Sequence, residues 1–225
     1  VNMFSKLTVL ILTVLMINCT AVLADSQGSL FVDTHECKVK NMSMMLQESL
    51  YEIQQHTSKV KFRVDSPVGD IWVSFDDFYG RFSMDRNGML YDPAIVDIQA
   101  DSLETDASFI GMLLKSESFL NVEKFPSMRF VGSNLEWYSD TRAILKGYMT
   151  LHDVTQPVAF YVELINADES CLPERVTVKA TTTIKRSEFG IHTLLPIVGD
   201  DVNLFLSIDG VKIDQAASMV SELRN

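Results

Sequence analysis

The chain has little of what would announce a reaction. Its 225 residues include four histidines (His35, His56, His152 and His192) and three cysteines. No two histidines stand at metal-ligand spacing, and none joins a cysteine or carboxylate in a zinc pattern. The sequence has no Gly-x-Ser-x-Gly elbow, phosphate loop or dinucleotide fingerprint. The acidic pairs Asp76-Asp77 and Asp200-Asp201 read as solvated loop carboxylates, and His56 and His152 read as turn residues. No catalytic residue, metal ligand or catalytic cofactor is therefore expected, and a binding protein is favoured over an enzyme. Positive charge is also scarce. Nineteen Lys+Arg face 30 Asp+Glu, a formal net charge of −11, which argues against a nucleic-acid partner and against electrostatic docking on anionic lipid. Six prolines and ten glycines exclude collagen and low complexity, and three cysteines are too few for a disulfide-dense miniprotein. Beyond the N-terminal region no apolar run approaches the ~18 residues of a membrane span, so the mature chain should have no integral membrane segment.

What is present is apolar and patterned. Residues AVILMFWYC make up 47% of the chain and charged residues 22%, enough to bury a core. Residues 1–24 have the layout of a cleavable secretory signal: Lys6, an apolar stretch from Leu7 to Ile17, and Val22-Leu23-Ala24 before Asp25. That layout predicts a periplasmic or secreted product. Lys6 is the leader's only charge, so its removal takes the net charge from −11 to −12. Cys37 and Cys171 would remain, either paired as one disulfide in an oxidising compartment or as two free thiols. Residues 25–49 read as an N-terminal extension, residues 50–213 as the domain and residues 214–225 as a tail.

From Ser58 onward the dominant period is two. Val60, Phe62 and Val64 alternate with Lys59, Lys61, Arg63 and Asp65, a strand with one wet and one apolar face. Similar stretches follow: Ile71–Met84, broken at Asp76-Asp77; Ala94–Ala100; Met128–Leu135; Leu145–Leu151; Val158–Leu164; Val176–Ile184; and Val202–Ile208. Arg86-Asn87-Gly88 reads as a hairpin turn. One helix is expected, over Leu103–Leu114, with Phe109, Ile110, Leu113 and Leu114 at helical spacing. About eight antiparallel strands predict a sandwich or a closed barrel with a greasy inside. A membrane barrel is a poor fit, because the outer face carries Lys, Arg, Asp, Glu and Thr throughout. Small residues on or near the apolar parity (Ala94, Ala100, Gly147, Ala180) would leave a tunnel rather than a solid core.

Seven segments, in order, resemble the YceI family of lipocalin-like, polyisoprenoid-binding secreted proteins. They are Tyr51-Glu52-Ile53 with His56-Thr57-Ser58-Lys59-Val60-Lys61-Phe62; Phe78-Tyr79-Gly80-Arg81-Phe82; Leu103-Glu104-Thr105-Asp106; Leu114–Pro126; Gly147–Val158; Arg186-Ser187-Glu188-Phe189-Gly190-Ile191; and Val198-Gly199-Asp200-Asp201-Val202. Two positions depart from the family's habit. Leu113-Leu114 stands where a His often precedes Lys/Arg-Ser, and Asp153 stands where Gly often follows the turn histidine.

The resemblance implies an all-β, eight-stranded antiparallel lipocalin-like barrel with an inserted short helix. It implies a long apolar lipid held along the axis, an isoprenoid or polyprenyl quinone or a similar long-chain amphiphile, without catalysis. A homodimer is implied for some members. The expected ligand wall is Phe62, Val64, Phe82, Met84, Val96, Ile98, Leu113, Phe119, Phe130, Leu145, Met149, Phe160, Val162, Val178, Phe189 and Leu206. The competing expectation is a ligand-free β-domain acting as an interaction or stress-related scaffold.

Overall fold

Alternation becomes architecture once each strand finds a neighbour for its backbone. The computed structural model describes residues 49–84, 89–167 and 173–213. The leader, most of the N-terminal extension, the Arg86-Asn87-Gly88 turn, Cys37, Cys171 and the tail lie outside the described residues. Eleven strand segments form: β1 (Ser49–Ile53), β2 (Lys59–Val64), β3 (Ile71–Phe75), β4 (Phe78–Met84), β5 (Ala94–Gln99), β6 (Leu103–Glu104), β7 (Ser127–Trp137), β8 (Arg142–Leu151), β9 (Val154–Ala167), β10 (Arg175–Lys185) and β11 (Asp201–Ile213). Every pairing is antiparallel.

The order β1-β4-β5-β7-β8-β9-β10-β11 closes on itself through β1–β11, an eight-stranded barrel. β2, β3 and β6 extend it. β2 continues β1 along β11, β3 pairs with β2, and β6 pairs with β3. Three of the eight walls are therefore single strands interrupted once. The interruptions lie side by side, at residues 54–58, 76–77 and 100–102, and they bond to one another. Asp76 donates its amide to the Ser102 carbonyl at 3.4 Å, and the Gln55 side chain donates to the Asp76 carbonyl. The break expected at Asp76-Asp77 is where β3 and β4 separate.

The helix is shorter than its pattern. Only Ser108–Lys115 is helical, here α1, preceded by a short 3-10 turn at Ala100–Ser102. Leu103 and Glu104 instead pair with Phe75 and Ser74, and the Leu103 side chain is buried. A strand partner and a core position outweigh the helical spacing there. No side-chain cap precedes Ser108, since Ala107 offers none.

The β8–β9 link is a two-residue turn at His152 and Asp153, both at positive φ (55° and 63°), as a tight hairpin of this twist requires. The His152 ring packs edge-on against Phe125, centroids 4.4 Å apart.

Gly132 and Gly147 face each other across β7 and β8, beside a register shift that follows Gly132. A Cβ at Gly147 would collide with the Val131 carbonyl and come within 2.7 Å of the Gly132 Cα. This glycine therefore permits a close backbone approach at a bend of the wall. It does not widen a tunnel as the sequence suggested, because neighbouring backbone fills the space. Ala100 sits buried in the 3-10 turn, while Ala94 and Ala180 do face the hollow.

A polar knot ties the first interruption to the last strand. Buried Asp209 accepts from Arg175 Nε at 2.7 Å and from Thr57 Oγ1 at 2.6 Å, and its amide donates to Ser58 Oγ at 2.9 Å. The hydrogen bond from Arg175 holds the Asp209 carboxyl below the usual range, against the opposing effect of burial.

Gly147→Ala should destabilise the barrel by about 1–3 kcal/mol in urea unfolding, the range for overpacking a tight site. For Asp209, a pKa below the unfolded value of about 3.9 means stabilisation that is complete above that value and lost as pH falls through the folded value. Asp209→Asn should accordingly lower the melting temperature at neutral pH, and the gap to wild type should narrow on acidification.

Candidate functional site: a two-chambered apolar interior

The inward side chains do not fill the barrel. Phe62, Phe82, Val96, Ile98, Leu145, Val178, Leu204 and Leu206 point inward yet are only partly buried, because they face a hollow. The hollow has two parts. The cavity at the α1 end has a volume of about 170 Å³ and the far one about 130 Å³. They share five wall residues, Val60, Ile98, Phe130, Met149 and Leu204, which form a waist between them. At the waist Phe130 meets Phe160 edge-on, centroids 4.9 Å apart. From Val176, on the far cavity, to Ile184, on the α1-end cavity, β10 covers about 26 Å of strand. A strand tilt of ~40° leaves roughly 20 Å along the axis.

The expected wall residues divide between the chambers. Phe62, Val64, Leu113 and Phe119 line the α1-end cavity. Phe82, Met84, Val96, Leu145, Phe160, Val162, Val178 and Leu206 line the far one, and Ile98, Phe130 and Met149 line both. Phe189 stands apart. It is buried in the core at the end of a 3-10 turn, Arg186–Phe189, and lines neither cavity. A turn carries no period-two parity, so alternation could not place it.

Alternation did mark wall residues beyond the expected set, such as Val60, Val202 and Leu204. The loop contributions (Ile191, Leu194, Val198) had no periodic signal to find them.

Arg186 is the buried charged residue of this site, and periodicity does not reveal it. It is 5% exposed and lines the α1-end cavity. Its guanidinium donates to four backbone carbonyls: Nε to Gly199 at 2.8 Å, Nη1 to Ile191 at 3.1 Å and Thr193 at 2.8 Å, and Nη2 to Val198 at 2.9 Å. Burial draws its pKa down while Asp200 draws it up. Arginine's high intrinsic value keeps it charged. Burial works against ionisation of Asp200, but the Ser187 hydroxyl (2.8 Å) and amide (2.9 Å), with Lys185 and Arg186, hold that carboxyl below its ordinary range. Arg186 thus fixes the 190–199 loop over the cavity.

At the far end Tyr51 is fully buried, stacks on Phe82 at 5.2 Å and donates its hydroxyl to the Pro173 carbonyl at 2.9 Å. Burial pushes its pKa up.

The other charged wall residues sit on the wet parity. Lys61 and Arg129 are exposed, and Arg129 Nε donates to the buried Asp97 carboxylate at 2.6 Å. Outward ion pairs also join neighbouring strands, Arg142–Glu163 at 2.9 Å and Lys146–Glu136 at 2.7 Å. Such a surface is unsuited to a lipid-facing belt. Among the described residues no helix is long and apolar enough to cross a membrane, and no cluster of three or more His, Cys, Asp or Glu could hold a metal. A more polar cleft of about 570 Å³ lies beside the strand interruptions, lined by Gln55, His56, Ser58, Lys59 and Asp76 among others.

One water needs about 10–15 Å³ of such space and two or more polar partners. Both chambers exceed that volume many times, and their walls offer almost no polar group. Space of this kind stays dry and accepts apolar guests.

Comparison with known proteins agrees with the geometry. The YceI-like domain model matches residues 51–209. A UPF0312 protein of Pectobacterium atrosepticum is 31% identical over 173 residues, 76% of this chain and 89% of the relative. Among solved structures, BcnA of Burkholderia cenocepacia superposes with a TM-score of 0.64 at 17% identity, covering 70% of this chain and 98% of that one. A polyisoprenoid binding domain from Saccharophagus degradans, implicated in plant cell wall breakdown, superposes at 0.59 with 13% identity, covering 72% and 98%. With its closed barrel, inserted helix and matched sequence over most of its length, the chain belongs to the YceI family.

Proposed function

We propose that this barrel binds a long-chain isoprenoid lipid, such as a polyprenyl quinone, in its interior, and stores or carries it without transforming it. The observation that carries the reading is the under-filled apolar interior. Inward side chains of a closed barrel retain exposure to two dry chambers, with a waist of shared wall residues between them. An isoprenoid tail has no hydrogen-bonding groups, so it needs none from the wall. Each buried carbon contributes about 0.8 kcal/mol. Several isoprene units therefore outweigh the lost chain freedom and association entropy without any charged contact. Phe130, Phe160 and Met149 suit such a guest, since rings offer flat faces and a thioether adapts to a kinked chain. The solved relative described as a polyisoprenoid binding domain supports the same class of ligand. The signal-like leader supports a periplasmic or secreted location.

The test is native mass spectrometry with solvent extraction of protein expressed in a quinone-producing host. A stoichiometric prenyl lipid is expected, and repeated recovery of empty, folded protein would refute the reading. Phe130→Asp should reduce the retained lipid at least tenfold, because it sets an unpaired carboxylate in the waist. Phe82→Asp asks the same of the far chamber. Full retention in both folded variants would show that the guest lies elsewhere.

A further inference from the structure

The α1 end of the barrel carries apolar side chains that the cavity does not use. On α1, Ile110, Leu113 and Leu114 turn toward the cavity. Phe109 and Met112, three residues apart and so on one face, are 74% and 71% exposed. A helix apolar all round is ordinarily covered all round. The 190–199 loop repeats the arrangement. Leu194 and Val198 line the cavity, while Ile197 is 64% exposed and Leu194 itself 46%. Val68, in the turn after β2, is 89% exposed.

These tips belong to one rim. The loop bonds the turn through the Gly199 amide and the Asp65 carbonyl, 2.9 Å, and bonds the segment after α1 through Thr193 Oγ1 and the Ser118 carbonyl, 2.5 Å. Arg186 holds the loop from beneath with its four carbonyl bonds. Leu194 sits in the left-handed region at φ 62°, a conformation a leucine adopts only where its surroundings enforce it. The fold therefore spends backbone strain to hold an apolar side chain at the mouth.

Charge selects what covers this rim. Segments 63–70, 106–124 and 186–200 together carry seven carboxylates against four lysines and arginines, one of the four being the buried Arg186. A second copy of the same rim would set acid against acid, and an anionic membrane would repel it likewise. A zwitterionic bilayer does neither. It is also the medium from which a water-insoluble chain can reach the mouth without crossing water. We propose that the rim formed by α1, the 190–199 loop and the 65–70 turn docks the barrel end-on to a neutral bilayer surface. Phe109, Met112 and Ile197 insert, and lipid passes between bilayer and cavity at that contact. The transfer step rests on the lipid-carrier reading; the docking is measured separately from it.

The experiment is flotation of the purified protein with vesicles of phosphatidylcholine alone, and with vesicles in which phosphatidylglycerol replaces part of it. The protein should float with the neutral vesicles and less well with the anionic ones, and added salt should narrow that difference. A double variant, Phe109→Asp with Ile197→Asp, should lose at least tenfold in vesicle partitioning while keeping its melting temperature and its extractable lipid. Wild type that fails to float with phosphatidylcholine, stronger binding to the anionic vesicles, or a double variant that floats like wild type would each overturn the docking. So would a solution dimer that the double variant dissociates, because it would assign the rim to a second copy. Protein that holds lipid but does not float defeats docking alone. Protein that floats but never holds lipid defeats the carrier reading alone.

Discussion

Everything in this molecule depends on the ladder between β1 and β11. Those strands are the first and last of the described barrel, and their pairing from Ile53↔Gly210 to Leu50↔Ile213 turns an open sheet into a ring. In an open sheet, unpaired edges must be covered and one face must be packed to hold the strands together. A ring satisfies its backbone groups around the whole circumference. The barrel can then remain standing with its centre partly empty, and a hollow becomes affordable. The knot around Asp209 lies at this seam, where the β1–β2 interruption crosses β11.

The strands were the most legible part of the sequence because alternation records a persistent physical demand. Val60, Phe62 and Val64 face inward because the register with β11 leaves them no other side. The eight apolar stretches correspond to the eight walls, including the fault at Asp76-Asp77. β1 has no alternation long enough to stand out, and only the family resemblance of Tyr51-Glu52-Ile53 marks it. Helical spacing runs on to Leu103, beyond the helix itself, because spacing alone cannot show that Leu103 has a strand partner. Phe189 and Arg186 lay beyond reach for a related reason. They occupy a turn, where no alternation sets a side chain's direction, and Arg186 is held there by carbonyls 5 to 13 residues away. Gly147 misled because a missing side chain reads the same whether the space is left open or taken by backbone.

The two ends of the barrel are built on different physics. Near β1, Tyr51 closes its surroundings with a buried ring, a stack on Phe82 and one hydrogen bond. At the other end a single charged group organises an irregular loop by occupying four carbonyls that no strand would satisfy. Lysine could not substitute, since its compact ammonium lacks the planar fork that reaches several carbonyls at once. In this chain the walls follow from strand pairing, while the mouth at the α1 end is organised by a few residues in its loops. The Leu113-Leu114 and Asp153 departures both lie at that end.

The waist has a kinetic meaning that volume alone does not convey. A branched hydrocarbon that spans both chambers and leaves by the α1 end would thread past Phe130 and Met149, which would require aromatic and thioether side chains to change rotamer in step with the moving chain. Such a constriction raises the barrier in both directions without altering the equilibrium between them. Residence time and affinity are thereby uncoupled, so a guest of modest binding strength could outlast lengthy dilution simply because its exit is slow.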